Sequence, residues 1–251
     1  MDDPWIALFD RVADSFDTVV PFFLVWRVDR CRVARAGRGA RLLDVGAGAG
    51  AIALAARRRG YEVCAVDGSA AMVARLSESL PAVQVAEAGA LPFDDGTFDV
   101  VTAGFVLHLL NDPQAALREF KRVMVPGGLL AFTVVGPPPR GFEPGDRSHE
   151  LFAEYSRYLP RDGRTDAPFD ARGLLAMTGF RDVAEQHLQV ELALDEPETM
   201  WRWYGTHGTR RFFDELDEKY CEEFRQRLIA DLVDRPELVL RRAALLFTAH
   251  F

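Results

Sequence analysis

Short apolar runs alternate with amphipathic stretches through the middle of this chain. Residues 41–46, 61–67, 82–87, 98–105 and 129–135 are rich in Val, Leu and Ala and are bounded by glycine or polar positions. Runs of that length and continuity predict strands buried on both faces. Between them, 50–59, 69–79 and 112–123 carry apolar residues at three- and four-residue spacing and predict helices. Repeated strand–helix–strand units predict right-handed crossovers and a parallel sheet covered on both sides. The N-terminal stretch 5–36 reads as helical with a break at Pro21. After 135 the pattern changes, because Gly136-Pro-Pro-Pro-Arg-Gly interrupts it. Helices are expected at 148–159 and 168–178, and a strand at 181–193 alternates around Val183, Leu188, Val190 and Leu192. A helical insert follows over 196–233, and a last strand at 238–250. Two long strands separated by helices predict that the sheet finishes with an antiparallel pairing.

Composition narrows the class. The chain has 251 residues, 49% of them hydrophobic, enough for one large α/β domain with a sizeable core. The net charge of −8 argues against nucleic acid as partner. Only Lys121 and Lys219 are lysines, and the arginines are scattered among acids. No apolar run reaches the roughly 18 residues of a membrane span; Val19–Trp26 is ended by Arg27 and Asp29. Asp2 and Asp3 replace the basic start of a signal peptide, so a cytoplasmic protein is expected. Cys31, Cys64 and Cys221 have neither metal-ligand spacing nor the pattern of a disulfide framework, and no metal is expected.

The candidate chemistry begins at Arg41-Leu-Leu-Asp-Val-Gly-Ala-Gly-Ala-Gly50. Gly46, Gly48 and Ala51 satisfy the G-x-G-x-x-G/A pattern of dinucleotide sites, with Asp67 about 20 residues on to take a ribose. A nicotinamide oxidoreductase is one reading. Asp44 argues for another, because a carboxylate at the end of the first strand would repel a diphosphate and attract an ammonium. Asp67 can serve a ribose in either case. An ammonium and a ribose without phosphate describe S-adenosylmethionine.

Five ordered blocks over about residues 40–135 resemble class I S-adenosylmethionine-dependent methyltransferases of the ubiquinone/menaquinone group. They are Leu42–Gly50, Ala65–Met72, Glu87-Ala-Gly-Ala-Leu-Pro-Phe93, the pair Asp95–Val101 and Leu107–Pro113, and Leu117–Gly128. The resemblance implies a Rossmann-like sheet of seven strands, mostly parallel with one antiparallel strand, helices on both faces and a helical lid. It implies one domain over 1–251, with a core of about 37–135 plus 181–193 and 238–250. The cap would come from 1–36, 136–165 and 196–235. It also implies roles. Asp44 with the backbone of the loop at Gly46 and Gly48 would hold the methionine end of the cofactor, and the backbone around Ala103 and Gly104 would face it. Asp67 would take the ribose, with Gly68, Ser69 and Met72 beside it. Glu87, where the family usually has Asp, and Ala88 would meet the adenine. Phe16 stands where the family often has Tyr and would cover the cofactor without a hydroxyl.

Methyl transfer needs alignment in a dry pocket, and a base only if the nucleophile arrives protonated. His108, after the fourth strand, is the first candidate base, although it could equally pack against the adjacent loop. His207 is a second candidate and His149 a third, whereas His187 and His250 read as structural. Trp201, Trp203, Tyr204, Phe212 and Phe213 could form an aromatic acceptor wall or the buried face of an amphipathic helix; a mixed role is expected, with Phe105, Trp203 and Tyr204 in the acceptor pocket. Trp201 and Tyr204 share a face at three-residue spacing, and Trp203 points elsewhere. Glu215, Glu218, Glu222 and Glu223 read as a solvated face. The expected reaction is methylation of an O, N or C atom of a small hydrophobic metabolite of specialised biosynthesis, by a monomer or homodimer, giving S-adenosylhomocysteine. The same residues would also suit a cyclase or decarboxylase that binds this cofactor, or a binding protein with a vestigial site.

Overall fold

The computed structural model describes residues 3–19, 39–137, 140–141, 146–160, 169–233 and 235–251. Pro21, Cys31 and the expected helix beyond residue 19 lie outside them. Seven strands form one sheet: β1 (Arg41–Val45), β2 (Glu62–Asp67), β3 (Val83–Val85), β4 (Phe98–Gly104), β5 (Met124–Val134), β6 (Arg181–Ala193) and β7 (Val239–His250). Their order is β3-β2-β1-β4-β5-β7-β6. Strands β1 to β5 pair in parallel, and β7 is inserted antiparallel to both β5 and β6. The expected mostly parallel sheet with one antiparallel strand is the sheet observed.

Side chains of successive strand residues leave on opposite faces, and the two faces bury different partners. Leu42 joins a core with α2 (Ala51–Arg58), whereas Leu43 joins a core with α4 (Pro113–Val123). The first core continues into the lid, formed by α5 (Ser148–Tyr155), α7 (Pro197–Tyr204), α8 (Arg210–Glu215) and α9 (Glu218–Val233). The second includes α6 (Ala171–Met177). A third cluster packs α1 (Pro4–Val12) and Phe16 on Met72 of α3 (Ala70–Ser77).

Local chemistry sets the helix starts. Ser69 caps α3 by accepting from the Met72 N–H, and Asp112 caps α4 by accepting from the Ala115 N–H at 2.8 Å. Three boundaries differ from expectation, the first being β3, which covers only Val83–Val85 of the expected 82–87. The N-terminal helix stops at Val12, and turns follow to Thr18, with Asp17 in the left-handed region. Strand β5 begins at Met124 rather than 129, because Met124 already pairs with Phe98 before the ladder shifts register through Pro126-Gly-Gly.

Candidate functional site

The sheet order reverses beside β1: β2 and β3 extend to one side of it and β4 onward to the other. Ligands of open α/β sheets bind at the carboxyl ends of the strands flanking such a point. A cavity of about 1470 Å³ opens there. Asp44, Gly46, Gly48, Asp67, Gly68, Ser69, Met72, Glu87, Ala88, Gly104 and Phe16 all line it, as do Phe105, His108, Trp203, Tyr204 and His207.

Asp44 ends β1 one residue before its close and is 1% exposed. Its register partner on β4 is Thr102, whose hydroxyl donates to Asp44 Oδ1 at 2.8 Å. Oδ2 accepts from the Ala53 N–H at 3.0 Å, an amide of the first turn of α2. The donor that a dinucleotide loop would turn towards a diphosphate is thus bonded to the protein's own carboxylate. Asp67 pins the loop from the other side, accepting from Gly48 N–H at 2.8 Å and Ser69 N–H at 2.9 Å. Burial pushes the Asp44 carboxyl up to about 7, and it raises Asp67 as well; the Asp67 charge pushes Asp44 further in the same direction. Among the described residues neither acid has a basic partner.

The loop between them requires glycine. Gly46 has φ of +65°, and a Cβ there would stand 2.2 Å from Val106 Cγ2. Gly48, at +51°, lies under Phe16, whose ring would be 3.7 Å from an added Cβ. The ring therefore roofs the loop, held by Arg75 Nη1, which donates to the carbonyls of Ala13 and Phe16.

Some expected residues sit differently. The Ala103 side chain is buried in the α4-side core, as alternation along β4 dictates, and of the pair only Gly104 lines the cavity. Ser69 lines the cavity as expected of a residue near the ligand, and its hydroxyl caps α3 and donates to Asp10 Oδ1 at 2.6 Å. Trp203 does not point away from Tyr204's side: both are buried and both line the cavity, while Trp201 packs edge-on to Phe213 at 4.8 Å. Helix α7 lies between cavity and lid core, so more than one face is covered.

The histidines separate clearly. His207 Nδ1 lies 2.8 Å from the Trp203 carbonyl and Nε2 lies 3.2 Å from Thr209 Oγ1. Its ring is 4.2 Å from that of Trp203, so it ties the turn after α7 together. His108 stands on a 3-10 turn, Leu107–Leu109, edge-on to Phe169. Its buried Nδ1 has no hydrogen-bond partner among the described residues. Burial lowers both rings to about 4, so each is neutral at physiological pH. His149 is exposed at the rim; His187 and His250 do not line the cavity.

Sequence reasoning missed several polar groups that shape the site. Asp10 anchors α1 to the start of α3 through Ser69 Oγ and the Ala71 N–H. Arg242 on β7 reaches Asp146, Ser148 and Tyr204 of the lid. An arginine pair inside the apolar run Val239–Phe247 was the available signal, since charge in a buried strand demands a partner. Asp10 and Asp146 gave none, being ordinary surface acids in sequence.

Among the described residues no cluster of three or more potential metal ligands occurs, and no helix is long and apolar enough to cross a membrane.

A methyltransferase-domain family profile matches residues 43–132. The demethylmenaquinone methyltransferase of Thermus thermophilus is 34% identical over 147 residues, covering 53% of this chain and 67% of the relative. That of Clavibacter sepedonicus is 35% identical over 143 residues, covering 53% of this chain and 58% of the relative. The chain thus spans between 58% and 67% of the length of these relatives. In fold it is similar to the YcgJ protein of Bacillus subtilis, with a TM-score of 0.58, 20% identity, and coverage of 92% of this chain and 98% of the other.

Proposed function

This chain belongs to the class I S-adenosylmethionine-dependent methyltransferase family, in its menaquinone/ubiquinone-like group, and from that premise we propose that it methylates an O, N or C atom of a small, flat, hydrophobic acceptor. One observation carries the reading: a buried acid, Asp44, and a half-buried one, Asp67, neither with a basic partner among the described residues, face one cavity beside a glycine loop. That pair suits a ligand with an ammonium and a ribose, and repels a diphosphate. S-adenosylmethionine, when bound, supplies a methyl group activated on a sulfonium.

The protein's own residues do the rest by holding and drying. Asp44 would accept the ammonium, Asp67 the ribose hydroxyls, and Glu87 with the Ala88 amide the adenine edge. Phe16 closes the roof. Phe105, Phe152, Trp203 and Tyr204 line the acceptor side and exclude water from it. The Phe105 backbone sits at a φ of +59°, a conformation costly for a bulky residue and typical of functional sites. It is held there by its N–H donating to the Thr133 carbonyl at 3.0 Å. His108, neutral at pH 7, lines the cavity and can take a proton where the acceptor still carries one. The relatives named for demethylmenaquinone support a quinone-like aromatic as the acceptor class, and the acidic net charge of −8 disfavours nucleic acid.

The test is incubation with radiolabelled cofactor and fractionated cell extract, with product mass read in parallel. Label in small organic-soluble molecules, each heavier by one methyl, is expected. Label confined to tRNA or protein, or a product of unchanged mass, refutes the reading. Stabilisation by NAD or NADP and not by S-adenosylhomocysteine would make the site that of an oxidoreductase.

A further inference from the structure

The cavity has a second polar centre that the cofactor acids do not explain. Strand β7 lies three strands from β1, roughly 14 Å across the sheet. From it Arg242 donates through Nη1 to Asp146 Oδ2 at 2.9 Å, and through Nη2 to Tyr204 Oη at 2.5 Å and Ser148 Oγ at 3.2 Å. Its guanidinium stands 5.5 Å from the Trp203 ring centroid and 5.9 Å from that of Tyr204. Arg242, Ser148, Trp203 and Tyr204 all line the cavity.

Counting hydrogens shows what the array can offer. Arg242 uses both hydroxyl oxygens as acceptors, so Tyr204 and Ser148 each keep a hydrogen to donate. With no ligand both can be taken within the array, because Ser148 lies within reach of the Asp146 carboxylate and Tyr204 within reach of Ser148. An oxygen in the cavity is served when the Tyr204 hydrogen turns to it from Ser148, while Arg242 holds the Tyr204 oxygen. Burial pushes the Tyr204 hydroxyl up to about 12, so it keeps its proton at neutral pH. Counting charges shows what the array refuses. Asp146 already balances Arg242, and Arg241, the other arginine on the cavity wall among the described residues, pairs with Glu191 at 3.2 Å. These two pairs leave no net positive charge to offset the desolvation of a carboxylate or a phosphate. The surrounding rings of Trp203, Tyr204 and Phe152 offer flat apolar contact.

We propose that Arg242, Tyr204 and Ser148 form an acceptor-recognition subsite that reads one phenolic or ring-carbonyl oxygen on an aromatic molecule. It deepens the methyltransferase reading and rests on the same cavity. Tyr204 is the specificity-determining donor; Arg242 positions its hydroxyl.

The test is equilibrium dialysis of 1-naphthol, naphthalene and 1-naphthoate against the full chain, with and without S-adenosylhomocysteine. The expected order places 1-naphthol about tenfold tighter than either other compound, the reach of one well-made hydrogen bond. Tyr204→Phe keeps the ring and should shrink the naphthol-over-naphthalene preference to within about twofold, with naphthalene binding unchanged. A preference that survives in Tyr204→Phe, naphthoate as the tightest ligand, or binding of none of the three overturns the subsite. If Tyr204→Phe does not fold, the order measured on the unaltered protein decides. Failure of S-adenosylhomocysteine to bind, alongside a Tyr204-dependent naphthol preference, would sink the cofactor reading and leave the subsite standing.

Discussion

Asp44 is held where a charge is expensive, and that cost should be visible as a function of pH. Burial is the main cause of its raised value of about 7, against 3.8 for an ordinary aspartate. The folded protein therefore binds this proton more tightly than the unfolded chain. The stability it lends is present in full below pH 3.8 and is lost as pH rises through about 7. Asp44→Asn removes the titration. Its melting temperature relative to the unaltered protein should rise between pH 5 and pH 8 in calorimetric scans; a constant gap contradicts the assignment. Asp67→Ala removes the acceptor for Gly48 N–H and Ser69 N–H. It should weaken S-adenosylhomocysteine at least about tenfold by titration calorimetry while far-UV circular dichroism is unchanged. His108→Gln should lower the turnover of a protonated acceptor by roughly a hundredfold or more. Because the His108 value is near 4, turnover in the unaltered protein should show no inflection from this ring between pH 5 and 8. The acids were legible in the sequence because each closes an apolar run. Arg242 was passed over because its partners, Asp146 and Tyr204, lie 96 and 38 residues away.

Helix α1 is tied to the body by few polar contacts, and each is long-range in sequence. Asp10 accepts from Ser69 Oγ at 2.6 Å and from the Ala71 N–H at 3.1 Å. Arg11 pairs with Asp214 of α8 at 2.6 Å, where both side chains are solvent-accessible and the pair counts for little. Asp10→Ala should therefore loosen α1 by about 1–2 kcal/mol. Hydrogen exchange should speed up over residues 4–16 and leave the amides of β1 and β4 protected. Uniform acceleration would show that α1 supports the whole fold rather than roofing one site. Periodicity found α1 and the lid helices, but could not place them. The same apolar stripe on α7 serves either a lid core or a cavity wall, and only the contacts of Trp201 and Trp203 tell the two apart. Strand β5 was read too short for a different reason: Pro126-Gly-Gly is turn chemistry, yet Met124 pairs with Phe98 ahead of it.

At the scale of the whole molecule, the parallel half of the sheet was the most legible part. Its central strands β1 and β4 are buried on both faces and leave near-continuous apolar runs such as Leu42–Val45. The position of β7 has a further consequence, which concerns synthesis. Strand β6 leaves the ribosome well before β7, yet its sole neighbour in the sheet among the described residues is β7. During that interval the outer edge of β5 is bare, and thirteen residues of β6 have no ladder to join. Pairing across so long a gap is slow, and an open edge invites contact with other chains. In pulse-labelled refolding, amides of β6 should gain protection together with those of β7 and later than those of β1 and β4. A polypeptide halted at Glu237 should aggregate through that exposed margin.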